Sequence, residues 1–230
     1  MSVTALPAPR WLSFDCYGTL IDWESGIRRA FRELVRVTAD QEGELFETWE
    51  KIQREKIQGP YAPYAEILQS SFREAAKRLG YRYPAYASEA FLSALAQWMP
   101  FPDVNPALVR LSQRHKLAII SNVDRGLLGR TLRHFEVHFD VLITAEDARS
   151  YKPNPEIFRY ALQKLGCAPE EILHVASSAD LDLHPASSVG FRVAYLDRKQ
   201  LPAPDLPLEA EITTMGELAG LWKVSPERPA

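Results

Sequence analysis

Polar residues stand where short apolar runs stop. Trp11–Phe14 ends at Asp15, Leu117–Ile120 at Ser121 and Asn122, and Ile172–Ala176 at Ser177 and Ser178. Lys152 follows the run Val141–Ile143, within Tyr151-Lys152-Pro153. A lone acid or serine after a strand usually caps a turn or a helix. A set of them is different, because in an open parallel sheet ligands bind outside the carboxyl ends of the strands. Residues that terminate such strands therefore converge. A carboxylate pressed among buried strand ends needs a cation, and Lys152 is the matching candidate for Asp15. The chemistry open to this set is that of a carboxylate acting as nucleophile, base or ligand beside an ammonium group.

The elements that must position these residues are visible in the same runs. They are short, almost continuously apolar and rich in Val, Ile and Leu, as is a further run, Arg192–Leu196, that ends at Asp197. This is the pattern of parallel strands buried on both faces. Helix-period stretches lie between them. Asn105–His115 carries Leu108, Val109 and Leu111, and Glu156–Leu165 carries Ile157, Ala161, Leu162 and Leu165 before Gly166 stops it. The alternation predicts an α/β fold, a doubly wound, mostly parallel sheet of Rossmann-like character.

The first two strands are separated by far more chain than a crossover needs. Most of that gap reads as helix. One stripe is Ile27, Phe31, Leu34 and Val35; a second is Phe46, Trp49, Ile52, Gln53 and Lys56; a third is Ile67, Leu68, Phe72, Ala75, Ala76 and Leu79, closed by Gly80; a fourth spans Ala90–Trp98. The expected division is therefore a sheet domain of residues 1–22 and 100–230 with a helical cap subdomain of residues 23–99 inserted after the first strand. Pro100, Pro102 and Pro106 mark the return to the sheet. The tail Ser225–Ala230 reads as frayed.

Composition narrows the function. The chain has 230 residues, 46% hydrophobic and 25% charged, with 27 basic and 30 acidic residues and a net charge of −3. That is ordinary globular composition, with no basic excess to draw it to nucleic acid or anionic lipid. No run approaches a membrane span and Met1–Arg10 lacks a signal-peptide core. Two cysteines make no disulfide framework, and no Cys/His cluster has zinc spacing. The expectation is a cytoplasmic protein acting on a small molecule, with no nucleic-acid or membrane partner; the aromatic cap would allow a homodimer.

The segment Phe14-Asp15-Cys16-Tyr17-Gly18-Thr19-Leu20-Ile21-Asp22 resembles the first motif of the haloacid dehalogenase (HAD) superfamily. Ser121-Asn122 resembles the second motif and Lys152-Pro153-Asn154-Pro155 the third. Ser177 and Asp182 sit where the fourth keeps its polar pair, before Pro185-Ala186 and Gly190-Phe191. The resemblance runs from Trp11 to Arg198 and includes the place of the cap. It implies that Asp15 is a carboxylate nucleophile, that Thr19 and Ser121 hold anionic oxygens, that Asn122 orients an anionic substrate, and that Lys152 keeps Asp15 ionised. Asp182 would pair with Lys152 or hold the hydrolytic water.

Phosphatases of the superfamily carry a second Asp two residues after the nucleophile, to protonate an alkoxide leaving group. This chain has Tyr17 there, and Ser177 where phosphatases usually offer an Asp to magnesium. Asp-x-Tyr-Gly-Thr is similar to the (S)-2-haloacid dehalogenases, which implies displacement of a halide from a short 2-haloalkanoic acid, an aspartyl-ester intermediate, and no required cofactor or metal. Tyr17 and Ser177 would then line the substrate site. The likeness is incomplete. Where that branch keeps an Arg after the cap aromatic, an Asn and a Trp after the fourth-motif Ser, and a Tyr after the Lys, this chain has Glu50, Ala179, Leu181 and Phe158. Two alternatives follow: a Mg²⁺-dependent phosphatase with Asp15 and Asp182 on the metal, and a non-catalytic binding protein on the same scaffold. Retention of both Asp15 and Lys152 weighs against the binder. His174 reads as a core residue, Asp180 as a helix-start acid and Cys16 as packing; the cap tyrosines, Tyr64 among them, read mostly as cap packing with a minority facing the cleft.

Overall fold

The structure, a computed structural model, describes residues 7–222; the tail Ser225–Ala230 lies outside the described residues. Among the described residues six strands run β1 (Trp11–Phe14), β2 (Lys116–Ser121), β3 (Val141–Thr144), β4 (Ile172–Ala176), β5 (Arg192–Leu196) and β6 (Ala210–Ile212). They form one sheet in the order β3-β2-β1-β4-β5-β6, and every pairing is parallel. The order reverses at β1, so the sheet is doubly wound and its switch point lies beside Asp15. The apolar runs end where the sequence reading places them, within a residue or two.

Between β1 and the rest of the sheet lie α1 (Trp23–Val35), α2 (Ala39–Ile57), α3 (Tyr64–Arg78) and α4 (Ala87–Leu95). Their apolar stripes meet in an aromatic cluster in which Phe31 stacks on Phe72 at 4.8 Å and Phe72 lies 4.6 Å from Phe91. The remaining helices, α5 (Val104–Leu111), α6 (Arg125–Thr131), α7 (Ala145–Ala148), α8 (Glu156–Leu165), α9 (His184–Ser188) and α10 (Met215–Leu218), flank the sheet. Apolar residues of one sheet face join the helical insert, and those of the other pack under α8 and α9. Trp11, Ala118 and Ile172 belong to the second face while Leu12, Leu117 and Leu173 belong to the first, the alternation a pleated strand requires.

The two passes of chain into and out of the insert run side by side. Asp22 N donates to Met99 O at 2.9 Å, Phe101 N donates to Leu20 O at 3.0 Å, and Ile21 bridges Pro100. One glycine of α1 is required at this junction. A Cβ on Gly26 would lie 2.1 Å from Cδ1 of Trp98, whose indole is buried against the helix. Gly26→Ala is therefore expected to lower stability by about 1–3 kcal/mol, against the gain an exposed helical Gly→Ala normally brings. Urea denaturation of the variant checks the sign.

Candidate active site

The nucleophile loop turns back on itself directly after β1. Leu20 N and Ile21 N both donate to Cys16 O, at 2.8 and 2.9 Å. Gly18 makes the turn with φ of 101°, a conformation that favours glycine. The indole of Trp23 closes over it, since a Cβ there would sit 2.8 Å from Trp23 Nε1. The loop leaves Asp15 buried at the sheet's switch point with both carboxylate oxygens engaged. Thr19 Oγ1 donates to Oδ2 at 2.8 Å, and Lys152 Nζ donates to Oδ1 at 2.7 Å.

Lys152 is 1% exposed and spends all three of its donors. Besides Asp15 it reaches Asp182 Oδ1 at 2.5 Å and the carbonyl of Ile120 at 3.0 Å. Its backbone is held as firmly: Lys152 N donates to Asn122 Oδ1 at 2.7 Å, and Asn122 Nδ2 donates to Lys152 O at 3.0 Å. The Lys152–Pro153 peptide is cis. Burial disfavours the ammonium, but the two carboxylates outweigh it, and the lysine pKa lies above its ordinary value. Burial, reinforced by the charge of Asp182, lifts the Asp15 carboxyl above the usual aspartate range although Lys152 opposes it. Asp182 is equally buried, but Lys152 and a hydrogen bond from His174 hold it below that range.

Asp15, Thr19, Lys152, Ser177 and Asp182, five of the candidate residues, are in contact with one another. Ser177 N donates to Thr19 Oγ1 at 3.1 Å and Ser177 Oγ donates to Gly18 O at 2.9 Å, so this serine braces the nucleophile loop. Ser121 Oγ is buried at the end of β2 and has no protein partner among the described residues, a hydroxyl available to a bound anion. Asn122 has both amide atoms on the Lys152 main chain. The Tyr17 hydroxyl pairs with Thr131 Oγ1 at 2.8 Å, and its ring meets Trp98 edge-on at 6.0 Å. Glu50 makes an ion pair with exposed Arg54 at 2.9 Å.

Three participants escape sequence reasoning. His174 is buried, but its Nε2 lies 3.2 Å from Asp182 Oδ1 and its Nδ1 lies 3.0 Å from Ser13 Oγ. A carboxylate only accepts, so Nε2 carries the proton toward Asp182 and, in a neutral ring, Nδ1 accepts from Ser13. Ser13 and His174 are register partners on β1 and β4, which the strand alignment could have revealed. The third is Arg198. Its Nε and Nη2 donate to Thr19 O at 3.2 and 3.1 Å, while Nη1 holds Asp103.

Among the described residues no group of three or more His, Cys, Asp or Glu could hold a metal ion. The facing oxygens of Asp15 and Asp182, the pair a magnesium alternative would use, are bridged by the Lys152 ammonium. The donor set therefore suits a built-in cation better than a bound one, and no helix among the described residues is long and apolar enough to cross a membrane.

A doubly wound parallel sheet with a carboxylate–lysine–carboxylate relay at its switch point, beside a four-helix insert, defines a class of hydrolases. The chain belongs to the haloacid dehalogenase-like hydrolase family, whose model matches residues 9–190. It is 26% identical over 220 residues to (S)-2-haloacid dehalogenase 4A of Burkholderia cepacia, covering 89% of this chain and 91% of that one. It is 28% identical over 194 residues to an (S)-2-haloacid dehalogenase of Pseudomonas putida, with 81% and 83% covered. Among solved structures, a dehalogenase described with an intermediate complex superposes with a TM-score of 0.83 at 26% identity, covering 93% of this chain and 97% of that one. The relatives place the chain in the haloacid dehalogenase branch of the family.

Proposed function

We propose that this hydrolase removes halide from a short 2-haloalkanoic acid, using Asp15 as nucleophile. The observation that carries the reading is the arrangement of Asp15. It is buried, gripped by Lys152 and Thr19, and followed two residues later by Tyr17, which offers no carboxylic acid to a leaving group that needs a proton. A halide needs none.

In the first step an Asp15 oxygen forms a bond to the substrate's α-carbon as the carbon–halogen bond breaks, and the halide leaves with the electron pair. Burial weakens the solvation of the attacking carboxylate. In the second step water adds at the Asp15 carboxyl carbon and the bond from that carbon to the substrate oxygen breaks. The products are a 2-hydroxy acid, a proton and an Asp15 carboxylate with one oxygen from water. Lys152 stabilises the negative charge that gathers on the Asp15 oxygen during that addition. Asp182, kept ionised by Lys152 and His174, is assigned to the hydrolytic water. Ser121 is assigned to the substrate carboxylate, Thr19 and Ser177 to the geometry of the nucleophile loop, and Asn122 to the position of Lys152. Tyr17 contributes the apolar edge of its ring to the substrate site.

The division into a sheet domain (1–22 and 100–230) and a cap (23–99) belongs to this proposal, with the paired passes at Ile21 and Pro100 as its support. So does a cytoplasmic setting, which two unpaired cysteines support. The test is halide release from 2-chloropropionate or a haloacetate with EDTA present. Release that persists in EDTA is expected. A folded protein that releases halide from none of a panel of short 2-haloacids would overturn the reading.

A further inference from the structure

The proposed reaction leaves a halide in a site where the resemblance implies an arginine and this chain has Glu50, turned into an ion pair with Arg54. The segment that opens α3 supplies a different donor. The core grips this segment at two points. Asp124 accepts from Tyr64 N at 2.8 Å and Ala65 N at 2.7 Å, and the Tyr151 hydroxyl donates to Ala62 O at 2.8 Å. Asp124 stands two residues after Asn122 and Tyr151 stands next to Lys152, so the loops that hold the lysine also hold the start of α3.

This docking carries the Tyr64 ring to 6.3 Å from the ring of Tyr151, the chain neighbour of Lys152. Its hydroxyl accepts a hydrogen bond from Gln53 Nε2 at 2.8 Å. A phenol oxygen that accepts keeps its own proton for another partner. Burial first, then the charges of Asp124 and Asp15, push the phenol's pKa up and keep it protonated.

We propose that the Tyr64 hydroxyl, oriented by Gln53, is the donor that receives the departing halide. The inference rests on the dehalogenase reading and names the subsite that reading lacks. No proton moves: the O–H of Tyr64 donates a hydrogen bond to the halide as it takes the electron pair of the breaking carbon–halogen bond. Hydrogen bonds to charged groups are the stronger ones, and the effect grows as the halide becomes a poorer leaving group. Gln53 is a positioning residue.

The experiment compares the wild-type protein, Tyr64→Phe and Gln53→Leu in two ways. Tyr64→Phe keeps the ring and the main-chain bond to Asp124. The first readout is chloride binding by ³⁵Cl line broadening, with bromide as competitor and no substrate. The second is kcat for 2-chloropropionate against 2-bromopropionate. The expected result is saturable chloride binding by the wild type, weakened about tenfold or more in Tyr64→Phe. With it, kcat for the chloro acid falls about tenfold to a hundredfold, and that for the bromo acid falls less. Gln53→Leu shifts both readouts in the same direction by a smaller factor. A wild type that binds no chloride, or a Tyr64→Phe protein that binds chloride as well as the wild type, overturns the proposal, as does an equal loss on both substrates. Chloride binding that depends on Tyr64 in a protein that dehalogenates nothing supports the subsite and overturns only the dehalogenase reading.

Discussion

Asp15→Ala is expected to reduce halide release by about 10⁴-fold or more without unfolding the protein. The first half follows from the role proposed for the carboxylate: without it no ester would form, and the remaining groups would only bind. The second half follows from the local charge. Two buried carboxylates share one ammonium, and burial together with Asp182 holds Asp15 above the usual aspartate range. Ionised Asp15 is thus placed at some cost to folding, a trade common at active sites. Removing it leaves Lys152 paired one-to-one with Asp182, with the Ile120 carbonyl still in place. The melting temperature should stay within a few degrees of the wild type or rise. A folded variant with no activity separates chemistry from structure; a variant that retains a tenth of the activity would remove Asp15 from the mechanism.

Lys152→Met is expected to damage both. The substitution keeps the aliphatic bulk and deletes the cation between Asp15 and Asp182, whose side chains are 12% and 2% exposed. Breaking a buried pair by removing one partner costs about 3–5 kcal/mol, so the melting temperature should fall by about 10 °C. Activity should fall by about 10²–10³-fold, with a change in its pH profile. In the proposed mechanism the rate needs ionised Asp15, so it should decline as pH falls through that group's pKa. Without the cation the pKa moves higher, and the acid limb of kcat/KM moves to higher pH.

The stability deficit has its own sign. In the wild type, Asp182 is held below its ordinary pKa. Its contribution is present above the unfolded-state value and lost as pH falls through the folded one. Lys152, held above its ordinary pKa, contributes below the usual lysine value and loses that contribution as pH rises through the folded one. The variant keeps two facing carboxylates that repel when ionised. Its deficit is therefore largest at neutral pH and shrinks toward acid. Thermal melts across that range would show it; a deficit that grows toward acid would contradict the assignment.

Much of this arrangement was legible because parallel strands buried on both faces leave an unambiguous trace. Trp11–Phe14 and Ile172–Ala176 are apolar to their last residue and then polar, and the candidate site lies along that edge. β6 left no such trace: it is three residues long, with Glu211 exposed and only Ile212 buried. α6 carries Gly126 and Gly129 and too short an apolar stripe to register. The last cap helix runs Ala87–Leu95 rather than Ala90–Trp98, because Trp98 packs on Gly26 after the helix has ended.

Within the candidate site, motif positions point to Asp15, Thr19, Lys152, Ser177 and Asp182, but partners that depend on tertiary register stayed hidden. His174 looks like one more buried strand residue until the turn Ala179–Leu183 returns Asp182 to it. Asn122 is adjacent to Ser121 in sequence, yet its amide serves the lysine thirty residues on. Tyr64 is one tyrosine among several in an aromatic insert. Only the docking of α3 onto Asp124 distinguishes it from Tyr83, whose ring packs on Phe72, and from Tyr86, which is 59% exposed.

The central claim is that Asp15 itself becomes esterified, and it can be read directly. A single turnover of 2-chloropropionate by excess protein in H₂¹⁸O, followed by proteolysis and mass spectrometry, reports the oxygen content of the peptide that contains Asp15. Attack by Asp15 followed by hydrolysis at its carboxyl carbon leaves one ¹⁸O in that peptide and, after one turnover, an unlabelled hydroxyl in the product. Label that appears in the product hydroxyl while the Asp15 peptide stays unlabelled would show that water attacks the substrate directly and would contradict the account.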